Sequence, residues 1–274
     1  MTNVEIISVG NELLIGKTLN TNATWMAKRL TTLGLGVCRI TTISDDIGEI
    51  GRVIKEALKR EPDFLITTGG LGPTFDDKTL EGVAKALGTT VELNKEAAEM
   101  VEEKYKIYAK ERGVEKIELT PARVKMARLP KGAKPLPNPI GTAPGVVIKH
   151  GKISIISLPG VPPEMESIFE NSLEPMFKKL AGRATFFETS LGVSGVMESD
   201  LAPIIDRVMH DNPYVYIKSH PRGQERIPHI ELHLSTTAED TKTAKSHVSR
   251  AIIQITETIQ ARGGKITRLG QNSQ

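Results

Sequence analysis

The sequence predicts an α/β protein with a parallel sheet, followed by a smaller α+β domain. Short apolar runs alternate with amphipathic segments from Val4 to Gly88, which is the pattern of successive βα units. With 274 residues, the chain is longer than the roughly 100–200 residues of one typical domain. The alternation changes near residues 181–183. We therefore expect two domains, residues 1–181 and residues 182–274.

Three βα units make up the first part of the chain. The expected strands are continuous apolar runs, as in a sheet that is buried on both faces. In the expected helices apolar residues recur at helical spacing, and Gly34 and Gly88 are natural stops. The strands comprise residues 4–9, 37–43 and 64–68, and the helices comprise residues 19–33, 47–58 and 78–87. Right-handed crossovers between such units give a parallel sheet.

The middle of the chain is more varied. A charged helix is expected at residues 97–112, and the Pro- and Gly-rich residues 130–145 are expected to form a structured loop without strands. Residues 146–149 and 153–158 suit a hairpin, and residues 165–180 return to helix.

The C-terminal part predicts a small α+β unit of ferredoxin-like or KH-like type. Its expected strands are residues 186–192, 214–219, 230–236 and 265–267, and its expected helices are residues 198–209 and 238–262. Lys218, His220, Arg222 and Arg226 cluster around one turn of this unit. No GXXG clamp accompanies them, so we expect a solvated hairpin loop and not a nucleic-acid contact.

Composition excludes several classes of function. The 36 basic and 33 acidic residues leave a net charge of +3, and aromatic residues make up only 4%, so we expect no nucleic-acid partner. Cys38 is the single cysteine, which excludes an internal disulfide and a CxxC metal site, and we expect it to be buried in its strand. No apolar run reaches the ~18–20 residues of a membrane helix. We expect a cytoplasmic homo-oligomer, dimer or trimer, without membrane contact.

The strongest local signal is the segment TTGGLGPTFDD at residues 67–77. It leaves the third strand and enters a helix, where backbone N–H groups bind anions, and its glycines let the chain approach a phosphate. It matches neither a P-loop nor GxGxxG. The alternative is a capping box of Thr74 and Asp77 without further function. Two carboxylates directly after a phosphate loop nevertheless favour a divalent cation, which binds through carboxylates and substrate phosphates.

Other polar residues follow the remaining strands. The carboxyl ends of parallel strands meet at one edge of a sheet, where open α/β folds bind ligands. The residues expected at this edge are Gly10, Asn11, Glu12, Asn20, Asn22, Asp45, Asp46, Asp76 and Asp77, and the segment beginning Pro159-Gly160. Helix capping is the alternative for the Asn and Asp residues. The Gly- and Pro-rich loop 138–145 either wraps a ligand or is a rigid connector.

Four motifs in this order, GNELL, TTGGLGPTFDD, NPIGTAPG and LPGVPPEM, resemble the CinA family. Residues 1 to about 180 are similar to the molybdopterin-binding domains of MoaB, MogA and MoeA proteins. The resemblance implies a three-layer α/β/α MogA-like domain with a mixed, mostly parallel sheet, followed by a KH-like domain. Full-length CinA proteins also carry a nicotinamide mononucleotide deamidase domain, which this chain does not match, so we do not expect that activity.

The resemblance implies two activities. The CinA domain is similar to a metal-dependent ADP-ribose pyrophosphatase, which would release AMP and ribose 5-phosphate with Mg²⁺, Mn²⁺ or Co²⁺. The alternative is molybdopterin or nucleotide binding with adenylyl transfer, or a non-catalytic binding module. No strand-end motif contains His, so a metal-polarised water is the expected nucleophile.

The hypothesis assigns a role to each residue. Glu12, Asp46, Asp76 and Asp77 are the expected catalytic residues; Asp76 and Asp77 hold the metal, and Glu12 or Asp46 is a further ligand or the base. The phosphate contacts are assigned to Gly69, Gly70, Gly72 and Thr74. The sugar or base contacts are assigned to Asn22, Asn138, Gly141 and Thr142. The remaining ligand-binding residues are Gly10, Asn11, Thr68, Pro159 and Gly160.

Overall fold

A computed structural model describes residues 2–114, 118–182, 185–222 and 229–269. The predicted basic turn around Arg226 lies outside these residues. The chain divides into two compact units, one formed by Met1–Thr31 with Leu35–Ala181 and the other by Thr32–Gly34 with Gly182–Gln274. Within the described residues, no helix has the length and apolar character needed to cross a membrane.

The first unit alternates strands and helices. Its strands are β1 (Asn3–Val9), β2 (Gly36–Ile43), β3 (Phe64–Thr68), β4 (Val91–Leu93), β5 (Arg128–Pro130), β6 (Lys134–Leu136), β7 (Gly145–His150) and β8 (Ile153–Leu158). Its helices are α1 (Asn11–Leu14), α2 (Thr21–Thr32), α3 (Ile47–Lys59), α4 (Thr79–Leu87), α5 (Lys95–Glu111), α6 (Pro121–Lys125), α7 (Pro162–Ile168) and α8 (Glu174–Ala181). A π-helical turn, Phe169–Leu173, joins α7 to α8.

Six strands form the main sheet in the order β2-β1-β3-β8-β7-β6. The first four are parallel to one another, and β7 and β6 are antiparallel additions. β4 and β5 pair separately. The mostly parallel, mixed sheet is therefore confirmed, as is the hairpin of β7 and β8.

Helices cover both faces of the sheet. Ile7 and Leu65 belong to one buried cluster with Ile54 of α3 and Val83 of α4. Since side chains alternate along a strand, Phe64 faces the other side, where its ring meets that of Phe177 in α8 edge-on at 5.0 Å. The first unit is thus the three-layer α/β/α fold that the CinA resemblance implies.

Several predicted element bounds are wrong. α2 begins at Thr21 because Asn20 Oδ1 accepts a hydrogen bond from the Ala23 N–H at the helix start, which leaves Leu19 81% exposed. The expected helix 165–180 begins earlier, at Pro162, and contains the π-helical turn.

The prediction that Cys38 is buried is wrong. Cys38 is exposed because β2 is the outer strand of the sheet.

Short elements were not predicted. The expected loop 130–145 contains the strand β6, whose Lys134 pairs with Val147 at the edge of the main sheet. The proline of this strand is tolerated because an edge strand needs fewer ladder donors. α1, β4 and α6 also have no predicted counterpart, since elements of three to five residues show no measurable periodicity.

The second unit has the connection pattern βαββαβ. Its elements are β9 (Thr185–Ser194), α9 (Glu198–Asp211), β10 (Tyr216–Arg222), β11 (His229–Ala238), α10 (Thr241–Gln260) and β12 (Lys265–Arg268). The sheet order is β10-β11-β9-β12 and every pair is antiparallel. This is the ferredoxin-like arrangement, one of the two predicted types. The expected helix 238–262 begins only at Thr241, where Asp240 caps it.

Candidate functional site

A cleft of about 390 Å³ lies at the carboxyl ends of the four parallel strands. Backbone from the segments after β1, β3 and β8 lines it, at Gly10, residues 69–74 and residues 159–161. Five carboxylates also line it: those of Glu12, Asp45, Asp76, Asp77 and Glu164. The cleft therefore lies at the edge of the sheet where the sequence predicts a ligand site.

The glycine loop after β3 is folded tightly against its neighbours. Gly69 has φ of 100°, and a Cβ there would lie 2.2 Å from the Val9 carbonyl oxygen. Gly70 has φ of 68°, and a Cβ there would lie 2.3 Å from Thr79 Oγ1. The Thr79 hydroxyl donates to the Gly69 carbonyl at 2.7 Å, and the Thr79 N–H donates to the Gly70 carbonyl at 3.2 Å. Glycine is thus required for conformation and for space at both positions.

Thr74 organises the acidic pair that follows the glycines. Its N–H donates to Asp77 Oδ2 at 2.8 Å, its hydroxyl contacts the carboxylates of Asp76 and Asp77, and its carbonyl accepts from Lys125 Nζ. Its polar groups are thus engaged within the protein, so the structure does not present them to a phosphate. The capping-box alternative is wrong, because α4 begins at Thr79, beyond this turn.

The electrostatics of the pair keep Asp76 ionised. The hydrogen bond from the Thr74 hydroxyl lowers the pKa of Asp76, and a backbone hydrogen bond and the positive charges of Lys125 and Lys78 act in the same direction. In the described part of the chain, no three His, Cys, Asp or Glu side chains are arranged to hold a metal ion. Among the described residues, Asp76 and Asp77 therefore offer a cation two carboxylates without a third protein ligand of these types.

Of the two acids after β2, the structure brings Asp45 and not Asp46 into the cleft. Asp45 Oδ2 accepts from the Asn11 N–H at 2.8 Å, which ties the two strand ends together. Asp46 Oδ1 accepts from the Glu49 N–H at 2.8 Å and caps α3. The spacing of Asp46 and Glu49 is the sequence signal for this cap.

A smaller pocket of about 90 Å³ adjoins the cleft and shares Glu12, Gly69 and Gly160 with it. Asn22, 8% exposed, borders this pocket, and its Nδ2 donates to Thr68 Oγ1 at 3.0 Å and to the Gly160 carbonyl at 2.8 Å. Thr68 Oγ1 donates in turn to the Pro159 carbonyl at 2.9 Å. Asn22 and Thr68 thus connect the ends of strands behind the cleft.

The loop before β7 is built around Asn138, which is 5% exposed. Its Oδ1 accepts from the N–H groups of Ile140 and Gly141, and its Nδ2 donates to the Ala143 carbonyl and to Glu164 Oε2. Asn138 and Gly141 therefore do not line the cleft, in contrast to Thr142, which does. Glu164 was not among the predicted site residues, although the motif LPGVPPEM contains it.

Comparisons with known proteins agree with this architecture. Residues 5–179 match the family model described as "Probable molybdopterin binding domain". A protein from Pyrobaculum arsenaticum is 46% identical over 260 residues, covering 94% of this chain and 95% of that one. A protein from Sulfolobus acidocaldarius is 44% identical over 266 residues, covering 97% of each. A crystal structure of the CinA protein of unknown function from Thermoplasma acidophilum is 41% identical, with a TM-score of 0.57, and covers 64% of this chain and 98% of that one.

The chain belongs to the molybdopterin-binding-domain family and is CinA-like. In this CinA-like chain, all four motifs contribute to one cleft. GNELL contributes Gly10 and Glu12, TTGGLGPTFDD contributes the glycine loop and the acidic pair, NPIGTAPG contributes Thr142, and LPGVPPEM contributes Glu164.

Proposed function

We propose that this protein is a metal-dependent nucleotide pyrophosphatase that hydrolyses ADP-ribose to AMP and ribose 5-phosphate. One observation carries the proposal: a glycine-rich backbone loop and five carboxylates line the same cleft. Carboxylates alone repel a phosphorylated ligand, so a cation must lie between the carboxylates and the phosphates of such a ligand. A volume of about 390 Å³ lies within the usual range of small-ligand sites, ~300–1,000 Å³.

The arrangement of Asp76 and Asp77 favours a bound cation in the cleft. The carboxylates of Asp76 and Asp77 both contact the Thr74 hydroxyl, so the two negative charges lie close together. Hard oxygen donors suit Mg²⁺ or Mn²⁺, and Co²⁺ is a further candidate. Asp76 and Asp77 would hold the cation, and substrate phosphates and water would supply its other ligands. Such a metal polarises phosphoryl oxygens and activates water.

The remaining groups of the cleft bind and orient the substrate. The segment Gly69–Gly72 lines the cleft, and its backbone would contact the substrate phosphates. Glu12 borders both the cleft and the smaller pocket, so its carboxylate faces a ligand that extends from one to the other. Asp46 has no role in this proposal because it caps α3.

The family match favours a second candidate function. The model that matches residues 5–179 describes a probable molybdopterin binding domain, so binding of a pterin or adenylyl transfer to it is the alternative. The same cleft would serve, but a binding module releases no AMP. Cytoplasmic location and homo-oligomer formation stay predictions.

The test is a hydrolysis panel of ADP-ribose and other nucleotides, with Mg²⁺, Mn²⁺, Co²⁺ or a chelator, in which products are identified chromatographically. We expect AMP and ribose 5-phosphate from ADP-ribose, and only with a metal. The double variant Asp76→Asn/Asp77→Asn should lose on the order of 100-fold in turnover. Asp46→Ser is the matched control, since it removes a carboxylate next to the cleft and keeps a capping oxygen. No metal-dependent release of AMP by the natural protein, or full turnover in the double variant, contradicts the proposal.

A further inference from the structure

One carboxylate of the cleft is held in place by a buried side chain. Glu164 lies in the first turn of α7 and lines the cleft. Its Oε2 accepts a hydrogen bond of 2.7 Å from Nδ2 of Asn138. An amide donor occupies one oxygen and leaves the carboxylate able to accept a proton or a second hydrogen bond.

The direction of that donor is fixed. Asn138 Oδ1 accepts from the Ile140 N–H at 3.1 Å and the Gly141 N–H at 2.8 Å, and Nδ2 also donates to the Ala143 carbonyl at 2.8 Å. These bonds distinguish the amide nitrogen from the oxygen and prevent the side chain from rotating. The loop therefore presents an N–H group to Glu164 in one orientation.

Gly141 provides the space that the carboxylate occupies. A Cβ at this position would lie 2.0 Å from both Cδ and Oε2 of Glu164. Gly141 is not among the glycines of positive φ, so a Cβ there would displace the Glu164 carboxylate without straining the backbone. Asn138 and Gly141 together form a cradle for one carboxylate.

Among the described residues, the other four acids of the cleft accept no hydrogen bond from a buried side chain, although Gly10 and Gly72 leave room for the carboxylates of Glu12 and Asp77. Asp45 accepts from a backbone N–H, Asp76 contacts the Thr74 hydroxyl, and Asp77 accepts from the Thr74 N–H and contacts the same hydroxyl. Glu12 lies on the exposed helix α1, and no hydrogen bond from a buried side chain holds it among the described residues. Glu164 is thus the carboxylate of the cleft that a buried side chain holds in place.

We propose that Glu164 is the general base of the hydrolysis, and that Asn138 and Gly141 are its positioning residues. This inference rests on the proposed pyrophosphatase function. Water loses a proton to the Glu164 carboxylate as its oxygen bonds to a phosphorus of the anhydride. The bond from that phosphorus to the bridging oxygen breaks, the bridging oxygen leaves with the electron pair on the departing phosphate, and Glu164 later returns the proton to solvent.

The first test is Glu164→Gln, which keeps the shape and the acceptor for Asn138 but cannot take a proton. We expect kcat for ADP-ribose to fall by about 10²–10⁴-fold, the usual contribution of a general base, with KM unchanged. Glu166→Gln on the same helix is the matched control, because Glu166 does not line the cleft. Added formate should restore turnover to Glu164→Ala, which leaves room for it, and should not restore Glu164→Gln.

The second test concerns the cradle. Gly141→Ala displaces the carboxylate, so we expect kcat to fall as well. If Gly141 acts through Glu164, the same substitution should have no further effect in a Glu164→Ala background, because the carboxylate that it displaces is already absent. Such non-additivity is the expected result of the double-mutant cycle. Additive effects overturn the positioning role.

Several outcomes separate this inference from the function on which it rests. Turnover by the natural protein with unchanged kcat in Glu164→Gln overturns the inference alone. A raised KM with unchanged kcat, or a raised metal requirement in Glu164→Gln, also overturns it by indicating a binding or ligand role. Absence of turnover in the natural protein overturns the proposed function and this inference with it.

Discussion

The side-chain amide of Asn22 donates a hydrogen bond of 2.8 Å to the carbonyl oxygen of Gly160, 138 residues later in the chain. The same amide donates to Thr68 Oγ1 at the end of β3. Gly160 follows β8, so one buried side chain of α2 connects the ends of two adjacent strands. The shape of the cleft therefore depends on a residue that lies behind it.

We expect Asn22→Ala to destabilise the first unit. The substitution removes two donated hydrogen bonds, each worth ~1 kcal/mol. It also removes the buried Oδ1 atom, which has no hydrogen-bond partner among the described residues, and the loss of this unsatisfied acceptor offsets part of the cost. The free energy of unfolding, measured by urea denaturation, should fall by about 1–2 kcal/mol. Thr21→Ala, at the exposed start of the same helix, should change it by less than ~0.5 kcal/mol. Equal midpoints for the two variants would contradict the proposed bridge.

Glycine at position 69 should be far less replaceable than glycine at position 88. Both have positive φ, but a Cβ at Gly88 meets nothing within 4 Å, whereas one at Gly69 lies 2.2 Å from the Val9 carbonyl oxygen. Gly88→Ala should lower the free energy of unfolding by ~1–2 kcal/mol through backbone strain. Gly69→Ala should lower it by a further ~1–3 kcal/mol because its Cβ has no space. Urea denaturation of the matched pair measures the difference. If Gly69→Ala costs no more than Gly88→Ala, the close approach of the loop to β1 is wrong.

The acidic pair makes stability depend on pH through Asp76. Its pKa is lowered, chiefly by the Thr74 hydroxyl, so the folded protein favours the ionised carboxylate. The ionised Asp76 carboxylate therefore stabilises the folded protein at pH values above the ordinary pKa of about 3.9. This stabilisation is lost as the pH falls through the lower pKa of the folded state. Asp76→Asn should therefore be less stable than the natural protein at about pH 7 and equally stable at the acid end. Glu92→Gln, an exposed carboxylate on β4, is the control, and a difference that persists in acid would exclude this explanation.

The strands β1 and β3 were predictable from the sequence almost to the residue, because strands buried on both faces are continuous apolar runs. Phe64–Thr68, for example, is buried at every position. The bounds of β2 were predicted as closely, although it is the outer strand and partly exposed. β6 was not predictable, since a three-residue strand is specified by its partner, here Lys134 opposite Val147, and not by its own pattern. α6 was not predictable because its five residues are too few to show a helical period. The π-helical turn at Phe169–Leu173 likewise leaves no periodic signal in so short a segment.

The edge of the sheet that forms the cleft was also predictable, because the order of the motifs places Glu12, Asp76 and Asp77 after parallel strands. The direction of individual side chains was not. Asp45 and Asp46 are neighbours, yet one faces the cleft and the other caps α3. Glu164 depends on Asn138, 26 residues earlier, for its position, and a contact of this range has no local signature. The catalytic and binding roles stay predictions.

The ion pair of Glu5 and Arg60 should stabilise the first unit more than the surface pairs of α3 do. Glu5 is 3% exposed, and Arg60 donates to its two oxygens at 2.7 and 2.6 Å. Arg60→Met leaves a buried carboxylate unpaired and should cost about 2–3 kcal/mol, below the usual ~3–5 because Arg60 is partly exposed. Arg52→Met, which removes exposed pairs with Glu49 and Glu56, should lower the free energy of unfolding by much less, because water screens these charges. The double variant Glu5→Leu/Arg60→Met should recover part of the loss, because no buried charge remains. Urea denaturation of the four proteins tests this order, and equal costs for Arg60→Met and Arg52→Met would show that the buried carboxylate needs no partner.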